Sequence, residues 1–568
     1  MDKIRRGYST PEHKTLVAEG FFNLYEQALA NALVLRTRQT NPATVDTEIF
    51  YLFEKSRSAL LREATQVNQA ELLLPNHLLN QKRVLLGAIY LLRNKIYDET
   101  DETQKAHYLG KLSTTEKAYE DFLQTLKKNY PSYYASNYAA EVVGLAEVQQ
   151  EKLPAHTLVL GYLYGEDAIY GLGISQQSFI IRQIPLSSGF EARLKEFLNY
   201  IRNGESTGEL SDYNQYNTSA HYFYRKLVAP LLPDSGQAIE KMVVIPDGLL
   251  SYLPFEILHT QAASTSPKVD YIKLPYLFRQ FATRYEYSAT LLFDKPAAAL
   301  ASTSTDNYLG FAPIYEDDNF LGAQRSFQEE FPNTRRRSGE LRYNREEVEN
   351  SSQLFDGQSF IGEEATKANF LRHAESCQGI LHLSMHGLVN DTLPDRSCLV
   401  FGKTPASQKR GRRSSPGDSP LLHAYELYHL KIPAEMVILS ACETGTGKFS
   451  RGEGILSLGR AFKLAGCKNV VMSFWPVDDQ STSQLMQRFL NNLAQGMNKD
   501  VALQQARLKY LEEEGQSHQL SPHYWAAFVL VGDDLPLSRQ AQIPLYFYGI
   551  ATLLIGAGTW GLWRKYSR

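Results

Sequence analysis

The first 150 residues of the chain carry apolar positions at helical spacing. These positions recur every three or four residues, as in the sets Phe22, Tyr25, Leu29, Leu33 and Tyr119, Phe122, Leu123, Leu126. Each set lies on one face of a helix. Ser113 and Glu116 form an S-x-x-E capping box, which predicts that the second helix begins there. A repeat of about 34 residues is not evident, so a degenerate helical array and a simple bundle fit residues 1–150 equally well.

After Pro154 the pattern changes to short β-rich runs separated by turn residues. The first two runs flank Gly165-Glu166-Asp167, which predicts a hairpin. Apolar strands that alternate with helical stretches predict an α/β domain with a largely parallel sheet and helices on both faces. Sites in such sheets lie at the carboxyl ends of the strands. Further strands are predicted at 242–248, 308–313, 379–387, 436–442, 469–475 and 528–533.

The C-terminal segment Ile543–Trp563 has 21 residues without a charge. A helix of this length is about 31 Å long, enough to cross a hydrocarbon core of about 30 Å. Aromatic residues lie near both ends, where they favour the two membrane interfaces. A buried C-terminal helix is the alternative, but the pattern predicts a transmembrane helix over 543–563 and a single-pass membrane protein.

The orientation of this helix is argued from two opposed signals. The basic tail Arg564–Arg568 would place the body outside the cytoplasm by the positive-inside rule. The N-terminal residues lack the apolar core of a secretory signal, and four widely spaced cysteines form neither a disulfide framework nor a zinc motif. We therefore expect a cytoplasmic catalytic body with free thiols.

Composition excludes several classes of function. With 568 residues the chain is long enough for about three to four domains. A net charge of −3 argues against nucleic-acid binding, which needs a basic surface. We expect no metal and no cofactor.

The basic segments 333–345 and 403–420 have the composition of exposed loops, and the alternative is a processing site for a peptidase that prefers basic residues.

The stretch VILSACETGTGKFS, residues 437–450, allows three readings of Cys442. A phosphate-binding loop needs G-x-x-x-x-G-K-[ST], but Cys442 stands at the first glycine position and Phe449 at the last position. That reading fails at both ends. A buried thiol and a nucleophile at a strand end remain.

A nucleophile needs a base, and His386 is the candidate. His386 ends the run LHLSMHG and precedes Gly387, while Cys442 ends the run MVILSA. If the two strands are parallel neighbours, imidazole and thiol meet at one sheet edge, where the imidazole can take the thiol proton. Backbone N–H groups of Gly387 and Cys442 can stabilise an oxyanion. The alternative is a buried thiol beside a core histidine, the role we expect for Cys377, Cys398 and Cys467.

Several separated motifs resemble one known family. The segments HLSMHG, LSACETGTG, RGEGILSLGRAFKLAGCKNVVMSFWPVDDQST and HYWAAFVLVGD are similar to the CHAT family of caspase-like proteins, relatives of separase. The resemblance covers roughly residues 150–535. It implies a caspase-type α/β sheet, a His386–Cys442 dyad and peptide-bond hydrolysis through a thioester. Tetratricopeptide-like arrays often precede such domains.

The resemblance also implies a subsite for a basic side chain. In separase-like relatives an acidic residue after a Trp-containing strand binds it, and the matching stretch FWPVDD makes Trp475 and Asp478 or Asp479 the candidates, with Asp479 preferred over Asp478. The alternative is a strand end followed by an aspartate that caps the helix from Ser481. Glu453 in RGEG matches the family pattern and is expected to order the loop after Cys442.

The sequence thus predicts a membrane-anchored cysteine endopeptidase that cleaves a protein partner after a basic residue. Its predicted parts are a helical region (1–150), an N-terminal CHAT half (151–300), a catalytic lobe (301–537) and the transmembrane helix. The helical region would bind a partner or hold the site inactive. The alternative function is a catalytically silent scaffold at the membrane.

Overall fold

The structure is a computed structural model, and it describes most of the chain. The described residues are 11–39, 42–71, 74–131, 133, 142–203, 210–234, 236–262, 268–293, 308–315, 341–402, 419–441, 444–476, 478–513 and 519–537. Met1–Pro536 form one compact unit, and Leu537–Arg568 form a second. Cys442, the two arginine-rich runs 335–337 and 410–413, and the segment 543–563 lie outside the described residues.

The N-terminal region is helical, as the apolar spacing predicted. Its helices are α1 Pro11–Arg38, α2 Ala43–Lys55, α3 Ala59–Ala70, α4 Asn76–Asp98 and α5 Glu102–Asn129. The prediction that a helix begins at Ser113 is wrong, because α5 runs through this position. Its N-cap is Asp101, whose carboxylate accepts the Gln104 N–H at 2.8 Å.

Sixteen strands follow within the described residues. They are β1 Thr157–Tyr164, β2 Ala168–Ile174, β3 Phe179–Pro185, β4 Lys241–Ile245, β5 Ala282–Tyr285, β6 Tyr308–Ala312, β7 Gln358–Ile361, β8 Ile380–Ser384, β9 His386–Leu388, β10 Cys398–Val400, β11 Leu421–His423, β12 Met436–Ser440, β13 Lys448–Ser450, β14 Gly454–Leu456, β15 Asn469–Ser473 and β16 Phe528–Val531.

One large sheet organises the molecule. Its strand order is β3-β2-β1-β4-β5-β16-β15-β12-β8-β6-β7, and two small sheets, β11-β10-β9 and β13-β14, lie apart from it. The pairs from β15 through β12, β8 and β6 to β7 are all parallel. The meander β1-β2-β3 and the pair β15-β16 are antiparallel. The sheet is therefore mixed, with a parallel half that contains the predicted site.

The remaining helices connect and cover the strands. They are α6 Leu145–Glu147, α7 Phe190–Asn203, α8 Leu210–Phe223, α9 Ala289–Phe293, α10 Asn344–Leu354, α11 Lys367–His373, α12 Ala424–Leu427, α13 Leu458–Leu464, α14 Asp479–Ala494, α15 Lys499–Glu513 and α16 Pro522–Trp525. The α/β class is confirmed. The N-terminal helices share a core with the sheet, since Phe22, Phe50 and Phe53 cluster with Val159 and Val243.

Two predictions need correction. The run 379–387 is two strands, because the central strand ends at Ser384 and His386 begins a strand of the small sheet. The transmembrane helix and the membrane location are contradicted, since none of the helices found in the described ranges is long and apolar enough to cross a bilayer. The predicted domain boundaries stay a prediction.

Candidate active site

Three parallel strands end at the edge of the sheet where the sequence predicted a site. β8 pairs with β12 so that Ser384 lies opposite Ser440, and β12 pairs with β15. All three strands are fully buried, and their carboxyl ends meet at the same edge of the sheet. His386 follows Ser384 by two residues, and Cys442 follows Ser440 by two residues in the sequence.

His386 is held at the crossing between two sheets. It is half-buried and pairs with Val400 on β10. The backbone N–H of His386 donates to the Tyr315 hydroxyl at 3.1 Å, and this hydroxyl donates to the Val400 carbonyl at 2.6 Å. The Tyr315 and His386 rings lie 4.5 Å apart between centroids. Gly387, the predicted oxyanion residue, is in register with Leu399 in the same ladder.

The residues on either side of positions 442–443 are anchored to β15. The Ser473 hydroxyl donates to the Ala441 carbonyl at 2.7 Å. The backbone N–H of Ser473 donates to the Thr444 hydroxyl at 3.2 Å. The Ser473 carbonyl accepts the Gly445 N–H at 2.8 Å. Because Ser473 bonds to both flanks, it fixes where the chain leaves β12 and where it returns.

The candidate residues for a basic side chain differ sharply in exposure. Trp475 is fully buried, and its indole N–H donates to the His523 carbonyl at 2.8 Å. Asp478 is exposed and caps α14, accepting the Ser481 N–H at 2.9 Å. The structure therefore gives Trp475 a packing position and Asp478 a capping one.

Asp479 is half-buried and already has partners. One carboxylate oxygen accepts the N–H groups of Arg342 and Tyr343 at 2.7 and 2.9 Å. Burial raises the pKa of the Asp479 carboxyl, and these two N–H groups oppose the rise. The next residue, Asn344, donates its amide to the carbonyls of Pro313 and Ser384 at 2.9 and 3.4 Å. Residues 342–344 therefore link Asp479 to the end of the strand that precedes His386.

The sequence analysis did not identify Tyr315, Asn344 and Ser473. Ser473 had a usable signal, since it lies near the end of the strand predicted at 469–475, which follows the strand predicted at 436–442. Tyr315 and Asn344 had none, because both belong to segments that reach the site only through the tertiary fold. Cys377, Cys398 and Cys467 are buried, as predicted, and no disulfide joins them among the described residues.

A second histidine, on β8, has a core role. His382 is fully buried, with the Glu347 carboxylate 2.8 Å from one ring nitrogen and the Tyr308 hydroxyl 2.8 Å from the other. Both nitrogens are thus satisfied inside the protein, and this histidine is buried away from any substrate.

The loop after Cys442 contacts two other parts of the chain. The Tyr252 hydroxyl donates to the Gly447 carbonyl at 2.7 Å. Glu453 is fully buried and pairs with Arg460 at 2.6 Å. The expectation that Glu453 orders this loop agrees with its position between β13 and β14.

Comparison with known proteins identifies the fold family. The sequence model of the CHAT domain family matches residues 217–533 of this chain. Tetratricopeptide repeat protein 28 of Homo sapiens is 28% identical over 219 residues, which span 35% of this chain and 9% of that protein. Its Mus musculus counterpart is 28% identical over 123 residues, 22% of this chain and 5% of the relative. The chain therefore spans less than a tenth of these relatives.

Two solved structures are similar to this chain at low identity and low TM-score. Gingipain R, an Arg-specific cysteine proteinase, has a TM-score of 0.33 and 10% identity over 62% of this chain and 77% of its own. A chain of the Saccharomyces cerevisiae separase–securin complex has a TM-score of 0.46 and 10% identity over 94% of this chain and 36% of its own. The match to residues 217–533 covers more than half of the 568 residues, and the chain belongs to the CHAT domain family.

Proposed function

We propose that this protein is a cysteine endopeptidase in which His386 and Cys442 form the catalytic dyad. The observation that carries the proposal is the register of β8 and β12, which sets Ser384 opposite Ser440. His386 and Cys442 are each two residues beyond this pair in the sequence. Both residues therefore follow the ends of two neighbouring parallel strands, and the carboxyl ends of such strands meet at one edge of the sheet, which supports a meeting of imidazole and thiol there.

The chemistry follows from the two side chains. The imidazole of His386 takes the proton of the Cys442 thiol, and the sulfur attacks the carbonyl carbon of the substrate peptide. The C–N bond then breaks, the imidazolium gives its proton to the leaving amine, and water hydrolyses the thioester. The N–H groups of Gly387 and Cys442 would stabilise the negative oxygen of each tetrahedral intermediate.

The preference for a basic residue is assigned to the acidic pair. Asp478 is exposed, whereas one oxygen of Asp479 already accepts two backbone N–H groups. An exposed carboxylate can pair with an incoming Arg or Lys, so Asp478 is the first candidate and Asp479 the second. Trp475 would support the pair from the core.

The N-terminal helical region is the proposed site of partner binding. Four large hydrophobic side chains on α4 and α5 are exposed: Val84 at 70%, Leu91 at 42%, Tyr97 at 62% and Leu109 at 50%. A contiguous exposed apolar patch marks a contact with another protein, and these side chains are the candidates for one. The partner would be the substrate or a protein that controls the site.

The test is peptide cleavage by purified protein. Wild type is compared with Cys442→Ala and His386→Ala on arginyl, lysyl and alanyl reporter peptides, with an electrophilic probe for the thiol. Cys467→Ala is the matched control, because burial raises the pKa of its thiol well above the usual range. We expect cleavage and labelling to be lost only in the dyad variants. If wild type neither cleaves any peptide nor labels at Cys442, the scaffold alternative replaces this proposal.

Self-cleavage gives an independent readout. The basic runs at Arg335–Arg337 and Arg410–Arg413 lie outside the described residues and are the predicted processing sites. Intact-mass analysis of wild type beside Cys442→Ala should find cuts after these arginines in wild type only. Cuts confined to non-basic positions would remove the assignment of a basic preference.

A further inference from the structure

The loop after Cys442 meets the N-terminal helical region at one buried carboxylate. Glu453 accepts the Leu60 N–H at its two oxygens, at 3.1 and 3.3 Å. Leu60 is the second residue of α3, where backbone N–H groups have no partner within the helix. The same carboxylate pairs with Arg460 on α13. Three separate segments therefore depend on Glu453.

We propose that Glu453 is a positioning residue, through which the N-terminal helical region holds the loop after Cys442 in one arrangement. The inference rests on the proposed function, because the loop bears on catalysis only if Cys442 is the nucleophile. It goes further by naming the residue through which a partner of the helical region would act on the site.

Neighbouring contacts fix the same loop to the same region. The Ser58 N–H donates to the Gly452 carbonyl at 2.6 Å, and the Ser450 hydroxyl donates to Glu19 at 2.8 Å. Gly452 and Gly454, on either side of Glu453, have φ of +80° and +85°. Only glycine adopts such values without strain, so the backbone presents Glu453 to α3 in a specific way.

The helical region also contacts the part of the chain that holds His386. Arg396 lies just before β10, the strand paired with His386, and its guanidinium lies 4.3 Å from the Tyr97 ring. It also donates to the Asn94 carbonyl at 3.3 Å. A single helical region thus contacts the segments on both sides of the proposed dyad.

A second ion pair strengthens this contact. Glu71 lies between Lys82 at 2.7 Å and Lys431 at 2.6 Å. These lysines lower the pKa of the Glu71 carboxyl against the effect of burial. Lys431 leads into β12, so the contact reaches the strand that precedes Cys442.

A cavity lies beside this loop. Its lining includes Arg57 and Ser58 of the helical region and Gly452, Gly454 and Ile455 of the loop. The loop and the helical region therefore meet along the wall of one cavity.

The test removes the backbone donor of Leu60, and a control accounts for the loss of its side chain. Leu60→Pro deletes the N–H that Glu453 accepts, and proline is tolerated in the first turn of a helix. Leu60→Ala is the matched control, because it truncates the same half-buried side chain and keeps the N–H. Glu453→Gln is the second variant, which keeps an acceptor and loses the charge that pairs with Arg460.

Two readouts are independent of peptide turnover. Amide exchange of peptides within 444–457 and the alkylation rate of Cys442 are measured in full-length protein. We expect both to change about tenfold in Leu60→Pro relative to Leu60→Ala, the effect of one hydrogen bond to a charged group. Equal exchange in the two variants would overturn the proposal. Faster exchange with an unchanged alkylation rate would also overturn it, leaving Glu453 a structural residue.

Kinetics then separate this proposal from the proposed function. If wild type cleaves peptides, Leu60→Pro and Glu453→Gln should lower kcat with little change in KM, because the loop positions the thiol and does not bind the reporter. An unchanged kcat would argue against positioning. If Cys442→Ala cleaves as well as wild type, the dyad fails, while exchange and alkylation still decide whether Glu453 couples the two regions.

Discussion

The Tyr315 hydroxyl takes the place of a ladder hydrogen bond beside His386. It accepts the His386 N–H and donates to the Val400 carbonyl, which lies opposite in the register. The tyrosine thus joins β9 to β10 where the chain crosses from the large sheet to the small one. This position fixes the backbone of the proposed general base.

Tyr315→Phe should loosen this backbone while keeping the ring contact. The loss of two hydrogen bonds should lower the free energy of unfolding by about 1–2 kcal/mol, and kcat should fall by about fivefold at constant KM. Tyr343→Phe is the control, since the backbone of Tyr343 bonds Asp479. Urea unfolding and peptide kinetics measure the two effects. Equal kinetics for both variants would exclude Tyr315 from positioning His386.

Substitutions of Asp478 and Asp479 should have different effects on the cleavage of arginyl peptides and on stability. Asp478→Asn should lower kcat/KM for arginyl peptides by about tenfold and leave alanyl peptides unchanged, because a charge pair is lost. Asp479→Asn keeps an acceptor for the two backbone N–H groups, whereas Asp479→Ala should cost about 1 kcal/mol of stability. Peptide kinetics and thermal unfolding check both. A larger arginyl defect in Asp479→Asn would make that residue the subsite.

Lys499 should be critical for stability and irrelevant to chemistry. It is fully buried, pairs with Glu435 at 3.0 Å and Asp533 at 2.8 Å, and donates to the Leu535 carbonyl. Lys499→Ala removes these bonds but leaves Glu435 paired with Lys468 and Asp533 hydrogen-bonded to Asn469, so it should reduce the free energy of unfolding by about 1–3 kcal/mol.

The control for Lys499 is an exposed pair on the same helix. Lys509 lies 3.6 Å from Glu513 with its side chain 61% exposed, and Lys509→Ala should change stability by less than about 0.5 kcal/mol. Denaturant titration compares the two variants. Similar small losses would mean that the Lys499 cluster relaxes or hydrates when the lysine is removed.

His259 should make the protein sensitive to acid. It is fully buried between Tyr216 and Tyr276, and burial lowers its pKa to about 3 from 6.5. The unfolded chain therefore binds the proton more tightly, so stability is lost as pH falls below about 6.5 and continues to fall until about pH 3. At pH 5 the loss from this one group should be about 2 kcal/mol.

His259→Phe should flatten this dependence. Urea unfolding at pH 7.5 and pH 5.0 is compared for wild type, His259→Phe and the exposed control His107→Ala. The control should keep the wild-type difference between the two pH values. An unchanged difference in His259→Phe would assign the acid sensitivity to other buried groups.

The sequence pattern was most informative where the strands are long and fully apolar. The strands predicted at 436–442 and 469–475 are β12 and β15, each two residues shorter at the carboxyl end. That shortening places the residues after each strand in the loops of the candidate site. The CHAT resemblance was confirmed, and it named candidate residues that the pattern alone left open.

The errors have local physical reasons. Ser113 and Glu116 satisfy a capping pattern, but the apolar face of α5 continues past them, and packing overrides a local cap. The sequence pattern could not predict the break at Met385, because the residues on both sides of it form strands. Partners such as Asn344 come from segments that touch the site only after folding, and no local pattern encodes such contacts. The transmembrane prediction rested on the length of an uncharged apolar run and on aromatic residues near its ends, and neither involves tertiary contacts.

The position of β16 within the large sheet bears on how the protein is made. This strand, the last one described, lies between β5 and β15, and it is parallel to β5 and antiparallel to β15. Until Phe528–Val531 leave the ribosome, the strands before it form two half-sheets with open edges. We expect the two half-sheets to join only after β16 has been synthesised, so that the large sheet stays incomplete in a nascent chain that lacks this strand.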